Sequence, residues 1–516
     1  MRSTRAATSP PGFLTRPRKP PPIAQGVAYF VLAAAPVACG AALAVLEPPI
    51  LLMVLPALVI AVTVSLVSWS GRGALRAEHA TAAVLVALGV VAVTWNGVRG
   101  PGEIGPSDIL LGGAFVALGF SSLRGGRLPV LPGWLLLAGA ALLAAALLAE
   151  LFVPNPPAEY APAPVSQVSL NQTAAGDGTN SDLVMLGKLE LALVAVPVLI
   201  GAVAASWRRA SLVGNLWLFS AVVSAGVASL DLLLGTQISE LATGLPFAEG
   251  RASGLAIHSN HLGLASAMAL PLALAHATAP HRVRRMLGSA AAAVLVVGIL
   301  ASGSRANFVG AVVAVALTLL FLRGAQAKLA IGVIAALMVM LVGSVVVSAA
   351  GSQVVTLERI AGESGALESD SRRRDKLDAS LSAVMAHGLT GVGFATARDA
   401  HNLYLQMLQA GGILGLTAFA VFACGAVRLG WRLSREPRAP PDSARLAAAL
   451  TVSLLVWLTT GLVQNAVNDR YIVVPFGVLL GLSLAVNRQR STAPPTAEPG
   501  HGAVPRHTRR MATEAA

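Results

Sequence analysis

Charge is what this sequence has least of. Of 516 residues only 12% are Asp, Glu, Lys or Arg, while 55% are hydrophobic and the mean hydropathy is +0.71. Soluble domains carry about 25% charged residues, so an ordinary soluble fold is excluded. Cysteine is nearly absent. Cys39 and Cys424 both fall inside apolar runs and read as small core residues, which excludes a disulfide scaffold or a thiolate metal site. No Walker sequence occurs, no Asp-x-Asp pair stands in the loops, and no clear internal repeat is visible. The first absence argues against nucleotide hydrolysis, the second against a paired-carboxylate metal site, and the third against a repeat-built transporter.

What is present is apolar length. A helix needs about 20 apolar residues to cross the hydrocarbon layer, and backbone in lipid is satisfied only by helices or closed barrels. Barrel strands alternate polar and apolar residues, whereas these runs are continuous. The expectation is an all-α polytopic transmembrane helical bundle of about 12–14 membrane helices. The spans read as 26–46, 49–70, 80–97, 108–123, 129–152, 183–205, 212–234, 258–277, 286–302, 306–322, 329–349, 403–427, 446–464 and 471–486. The first 25 residues are polar, Pro-rich and basic and lead into paired apolar runs, so a first membrane helix is expected there and no cleavable signal.

The net charge of +13 has a distribution that does not suit nucleic acid. With the N-terminus inside and alternating spans, inner segments hold 26 of the 37 Lys and Arg and outer segments 10. That is the positive-inside pattern, and it puts both termini in the cytoplasm. The organisation expected is a basic tail over 1–25, N-terminal membrane helices over 26–235, further membrane helices over 236–486, and a polar tail over 487–516. Three outer segments are long: 153–182, 235–257 and 350–402. The last is the largest, and Ser371–His387 within it has Leu377, Leu381 and Val384 on one face, which predicts an amphipathic helix.

Several ionisable groups converge on the outer side of this topology. Arg251 precedes a membrane helix. Arg305 sits in the tight turn Ser302-Gly303-Ser304-Arg305. Arg372, Arg373 and Arg374 belong to the amphipathic segment, His401 stands at the mouth of the next span, and Arg470 follows Asn468-Asp469. The bland reading of any one Arg is snorkelling at the interface. Arg305 resists it, being the sole charge between Arg285 and Arg323 in a turn too short to leave the membrane. Such a charge needs a partner, and guanidinium suits phosphate. A histidine such as His401 can act as a general base near neutral pH. His258 and His261 read as caps of a helix start. Lys188, Glu190 and Asp231 fall inside spans, where a transporter or lipid flippase would place its working groups.

At these residues the sequence resembles the O-antigen ligase and O-antigen polymerase superfamily. Arg251-Ala-Ser-Gly254-Leu-Ala-Ile-His258-Ser-Asn260 is similar to its Arg-x-x-Gly … Asn-Pro-Asn element, and Ser302-Gly303-Ser304-Arg305 to its Ser-Arg turn. Arg373 through His387-Gly-Leu-Thr-Gly391-Val-Gly393 resembles its Arg … His-Pro-Leu-x-Gly-Val-Gly stretch. His401-Asn402-Leu-Tyr404-Leu … Gly412-Ile-Leu-Gly415 resembles its His-Asn-x-Tyr-Leu … Gly-x-x-Gly signature. The sequence departs at His258-Ser259, Gly388 and Ala306, and the register of Arg372, Arg373 and Arg374 stays open by one residue. The resemblance covers about 250–425.

It implies a metal-independent glycosyltransferase of the cytoplasmic membrane, without cofactor, working on its outer face in cell-surface polysaccharide synthesis. The donor would be a glycan on a polyprenyl diphosphate such as undecaprenyl diphosphate, and the acceptor a sugar hydroxyl of a glycan or glycolipid. His401 would be catalytic, and Arg251, Arg305 and Arg373, with Arg372, would bind the diphosphate. Asn260, Ser304, Asn402 and Tyr404 would support them. Repeat-unit polymerisation is the alternative within the family.

Overall fold

The computed structural model describes residues 77–99, 105–123, 131–153, 187–244, 251–321, 366–394 and 400–492 except Asn468, with Gly332 and Ala397. The side chains of 77–79, 120–123, 366–370, 491–492 and Arg372 fall outside that description. So do the tail over 1–25, the spans expected at 26–46 and 49–70, the span at 329–349 apart from Gly332, the tail after 492, and nearly all of the 153–182 loop.

Every described element is helical, in line with the all-α expectation. In chain order they are α1 (Ala77–Val91), α2 (Pro106–Leu123), α3 (Gly133–Phe152), α4 (Val196–Val203), α5 (Trp207–Leu234), α6 (Ile238–Thr243) and α7 (Ser259–Ala277). There follow α8 (Arg282–Ala301), α9 (Arg305–Phe321), α10 (Ala366–His387), α11 (Leu403–Ser434), α12 (Pro441–Thr460) and α13 (Arg470–Thr492). A π-helical turn, Leu191–Ala195, leads into α4. Six of the described helices are long and apolar enough to span a bilayer: α3, α5, α8, α11, α12 and α13. Portions of α1, α2 and α9 are apolar but shorter. The protein is a polytopic helical membrane bundle.

Helix α7 is the axle. It packs against α5, α8, α9 and α12, and its length is buried almost all round. Its sequence is Ala-rich, with Gly263 and Ser266 among the leucines, which lets neighbouring backbones approach, as small residues do in membrane bundles. A helix that lipid never touches has no need of high hydropathy. A second axis is an aromatic column, Tyr404–Phe419–Phe422–Phe476, with adjacent ring centroids 6.0, 6.5 and 5.1 Å apart. It packs the middle of α11 against α13 through Phe422, and Trp457 of α12 closes edge-on upon Phe419.

The structure corrects several sequence boundaries. The span expected at 80–97 stops at Val91, and the apolar residues after it form a turn. They are apolar because they are packed inside protein: Val93, Trp95 and Val98 are buried. The span expected at 403–427 runs on to Ser434, because Arg428 and Arg432 end the hydropathy but not the helix. Cys424 is exposed on α11, not in the core, since an apolar run also supplies the face that meets lipid. The amphipathic segment begins earlier than expected, so Arg372, Arg373 and Arg374 lie within α10 and not at its start.

Asp231, a possible transport group by position, is a cap. Its carboxylate accepts from Thr236 Oγ1 (2.6 Å), Ile238 N (2.8 Å), Ser239 N (2.9 Å) and Ser239 Oγ, holding the start of α6. Lys188 is exposed, and Glu190 faces Gly139 of α3.

Candidate active site

Two irregular segments, 92–98 and 251–257, meet inside one end of the bundle. Gly97 N donates to Leu255 O (3.0 Å), and Ile257 N donates to the Asn96 side-chain oxygen (3.0 Å). Both segments are pinned to α5, through Thr94 Oγ1 with Ser220 Oγ (2.7 Å) and Leu255 N donating to Ser224 Oγ (3.1 Å). Non-helical backbone is tolerated at such a depth where protein groups take up its polar atoms, as these bonds do. From Ser224 helix α5 continues to Leu234, about 15 Å further along its axis at 1.5 Å per residue. The segments therefore sit inset from the end of α5, at a recessed position within the bundle.

Arg251 is built into this recess. Its Nε donates to Ser302 O (2.8 Å) and one terminal nitrogen donates to Asn260 Oδ1 (2.7 Å). The turn that accepts it is possible because Gly303 has φ +61°, and a Cβ there would lie 2.9 Å from the Arg251 side chain. Asn307, fully buried on α9, donates to Asn260 O (2.8 Å) and Ser304 Oγ (2.9 Å) and accepts from Gln464 Nε2 (2.8 Å). Asn260 and Ser304, the expected supporting residues, thus share one polar network with Arg251. Arg305 follows Ser304 directly, half-buried, as the first residue of α9.

The head of α11 supplies His401. Its φ of +48° makes it the one non-glycine with positive φ among the described residues. The next residues are stapled to the end of α12. Leu403 N donates to Gly461 O (2.7 Å), Asn402 Nδ2 to Leu462 O (3.0 Å) and Tyr404 Oη to Leu458 O (2.7 Å). Asn402 also caps α11, accepting from Leu405 N (3.0 Å). The two supporting residues expected here therefore set the position of the histidine.

Arg373 arrives on α10, whose end is locked to a break in α11. At Gly412 the backbone leaves the helix (φ +62°, ψ −160°). The carbonyls stranded by the break are taken up by the loop after α10: Val392 N donates to Gln409 O (2.8 Å) and Gly393 N to Ala410 O (3.0 Å). Ile413 N returns a bond to Gly388 O (2.9 Å). The third and fourth sequence motifs therefore read each other's backbones.

His258 stands among these parts. Its Nδ1 accepts from Asn260 N (3.1 Å), so it caps α7 as expected. Arg251, Arg373, His261 and His401 all act electrostatically on it, which brings residues of three motif-bearing segments within reach of one imidazole. The grouping includes Arg373, while the side chain of Arg372 is outside the described ones. Arg470 is engaged with Asp108 of α2 (3.0 Å).

His261 is the third residue of α7 and not its cap, which is His258. Its Nδ1 lies 3.0 Å from the Asp469 carboxylate, whose other oxygen accepts from Asn96 Nδ2 (2.8 Å). Burial pushes the Asp469 carboxyl up, but His261, Arg470 and Asn96 outweigh it and hold the group below the usual carboxylate range. Asp469, Asn96, Asn307 and Gln464 were not singled out by sequence reasoning. The one available signal was the polar run Gln464-Asn465 … Asn468-Asp469 at a helix end.

A family model described as O-antigen ligase matches residues 290–420. That stretch carries the Ser302–Arg305 turn, α10 and the head of α11, and the match supports the resemblance to the O-antigen ligase superfamily. Arg251, Asn260 and His261 lie ahead of the match, joined to it by the contacts above. No curated protein matches the chain.

Proposed function

We propose that this protein transfers a glycan from a polyprenyl diphosphate carrier to a sugar hydroxyl on the outer face of the cytoplasmic membrane, with both termini in the cytoplasm. The observation that carries the reading is that Arg251, Arg373 and His401, from segments scattered along the chain, all lie within electrostatic reach of His258. His401 removes the acceptor proton as its oxygen attacks the anomeric carbon. The bond to the diphosphate breaks, and negative charge grows on the departing oxygen. Arg251, Arg305 and Arg373 hold that charge. Preorganised guanidinium groups in a recess are suited to this, since they are permanently charged and meet phosphate with paired donors. No step calls on a metal or a nucleotide.

A groove of about 570 Å³ supports the lipid half of the reading. It starts at Tyr404, three residues beyond His401, and runs between α11 and α12 past Phe419, Cys424 and Leu455 to Trp431. Its lining is almost wholly apolar, which suits an isoprenoid chain whose headgroup lies at the recess.

The test is transfer by purified protein in liposomes, from a host pool of polyprenyl diphosphate glycan, in chelator and without nucleotide. His401→Ala is expected to abolish transfer while donor binding persists; retained transfer would remove the histidine from its role. A single added chain per acceptor marks a ligase, and a ladder of repeat units marks the polymerase alternative.

A further inference from the structure

We propose that His261, oriented by Asp469, is the proton donor to the departing diphosphate, so that the site handles protons with two histidines of opposite duty. This rests on the glycosyl-transfer reading and extends it to the leaving group. The argument begins with placement. Arg251, assigned to the diphosphate, grips the side chain of Asn260, and His261 is the next residue on the first turn of α7. His401 belongs to a different element, the head of α11.

The argument continues with partners. His261 Nδ1 is 3.0 Å from Asp469, and Asn96 steadies the far oxygen of that carboxylate at 2.8 Å. A largely buried carboxylate beside an imidazole favours the imidazolium, the form that can give a proton. The other charged and titratable groups around the pair are named by the same contacts. His258 lies with its ring centroid 6.3 Å away, and Arg251, Arg373 and His401 surround His258 in turn. Arg470 adjoins Asp469 and is bound to Asp108, while Arg99 is bound to the backbone oxygen of Asn96. Cations thus stand around His258, and the Asp469 carboxylate stands beside His261.

The step balances. The acceptor oxygen forms its bond to the anomeric carbon and its proton passes to His401. The carbon–oxygen bond to the diphosphate breaks, and its electron pair stays on the diphosphate oxygen. With Nδ1 facing Asp469 at 3.0 Å, the Nε2 proton of His261 moves to that oxygen. His401 releases one proton to solvent and His261 regains one, which restores both groups. Asp469 is a positioning residue that touches no substrate.

The experiment is the pH profile of kcat for the full-length protein in liposomes, with polyprenyl diphosphate glycan as donor. The alkaline limb of the wild-type profile reports the acid. His261→Asn is expected to lower kcat by about 10²–10⁴-fold, the range for a lost general acid, with the donor KM within a few-fold. Asp469→Asn is expected to move the alkaline limb to lower pH and leave the acidic limb in place, because the imidazolium has lost its carboxylate. Asp469→Glu is expected to keep the limb near its wild-type position. These variants retain His401, so the parent reading is tested separately by His401→Ala. Wild-type kcat in His261→Asn would overturn the proposal. So would an unmoved alkaline limb in Asp469→Asn, or movement of the acidic limb instead, which would make His261 a base. A His261→Asn protein that fails to fold leaves the Asp469 profiles to decide.

Discussion

His401 adopts φ +48°, a left-handed conformation that costs an ordinary residue about 1–2 kcal/mol. The Asn402, Leu403 and Tyr404 bonds to α12 hold it there. Strain confined to one residue at the mouth of a recess is a mark of a working group. Asn tolerates the left-handed region but carries no titratable ring. His401→Asn is therefore expected to fold as well as wild type and to lose about 10²-fold or more in transfer, read as kcat. At Arg251, replacement by Lys keeps the charge and loses the fork that spans Ser302 O and Asn260 Oδ1. Arg251→Lys is expected to raise the donor KM and lower kcat together, by about 10-fold or more, since charge-assisted bonds contribute about 1.5–3 kcal/mol. Unchanged kinetics would show that charge alone suffices there. At this scale the sequence singled out Arg251 and His401, because each stands in a short local pattern. The His261–Asp469 pair was not legible. Its halves lie on elements far apart in the chain, and each has a bland local explanation as a helix-end residue.

At the scale of elements, the long helices could be read from hydropathy, and their ends could not. Hydropathy measures what lies in an apolar environment and does not distinguish lipid from protein interior. Hence 92–98 read as membrane helix although it is a buried turn beside the site. For the same reason the recess could not be foreseen from the spans. The amphipathic spacing of Ser371–His387 did foretell α10, whose Leu377 and Leu381 remain partly exposed. What spacing did not foretell is the lock between the loop after α10 and the break in α11. Gly412 at positive φ faces Leu389 O, and Gly391 at positive φ faces Ala410 O, so a Cβ at either would strike backbone. Gly412→Ala combines that clash with the left-handed penalty of about 1–2 kcal/mol. It is expected to free α10 from α11, moving Arg373 away from the site. The readout is a loss of transfer together with faster proteolysis within 366–394. A Gly412→Ala protein with normal transfer would show that the lock does not position Arg373.

At the scale of the molecule, the site occupies one end of the bundle and the apolar groove leads away from it along α11. Cys424 lies in that groove and is exposed. In a Cys39→Ser background, polyprenyl phosphate in the liposomes is expected to slow labelling of Cys424 by an apolar maleimide. Labelling of a cysteine placed at exposed Leu233 of α5 should be unaffected. Equal protection at both positions would mean bulk lipid dilution and not a seated chain. The bundle itself was legible in composition, since 55% hydrophobic residues with 12% charge leave few other folds. The gathering of its motifs at one recess was legible only through the family resemblance, which the match over 290–420 supports. The most direct test of the whole account is transfer in proteoliposomes by wild type, His401→Asn and Arg305→Ala, with polyprenyl diphosphate glycan and no metal or nucleotide. The account predicts transfer by the wild type and its loss in both variants, with each variant still folded. Transfer at wild-type rates by both variants would contradict it.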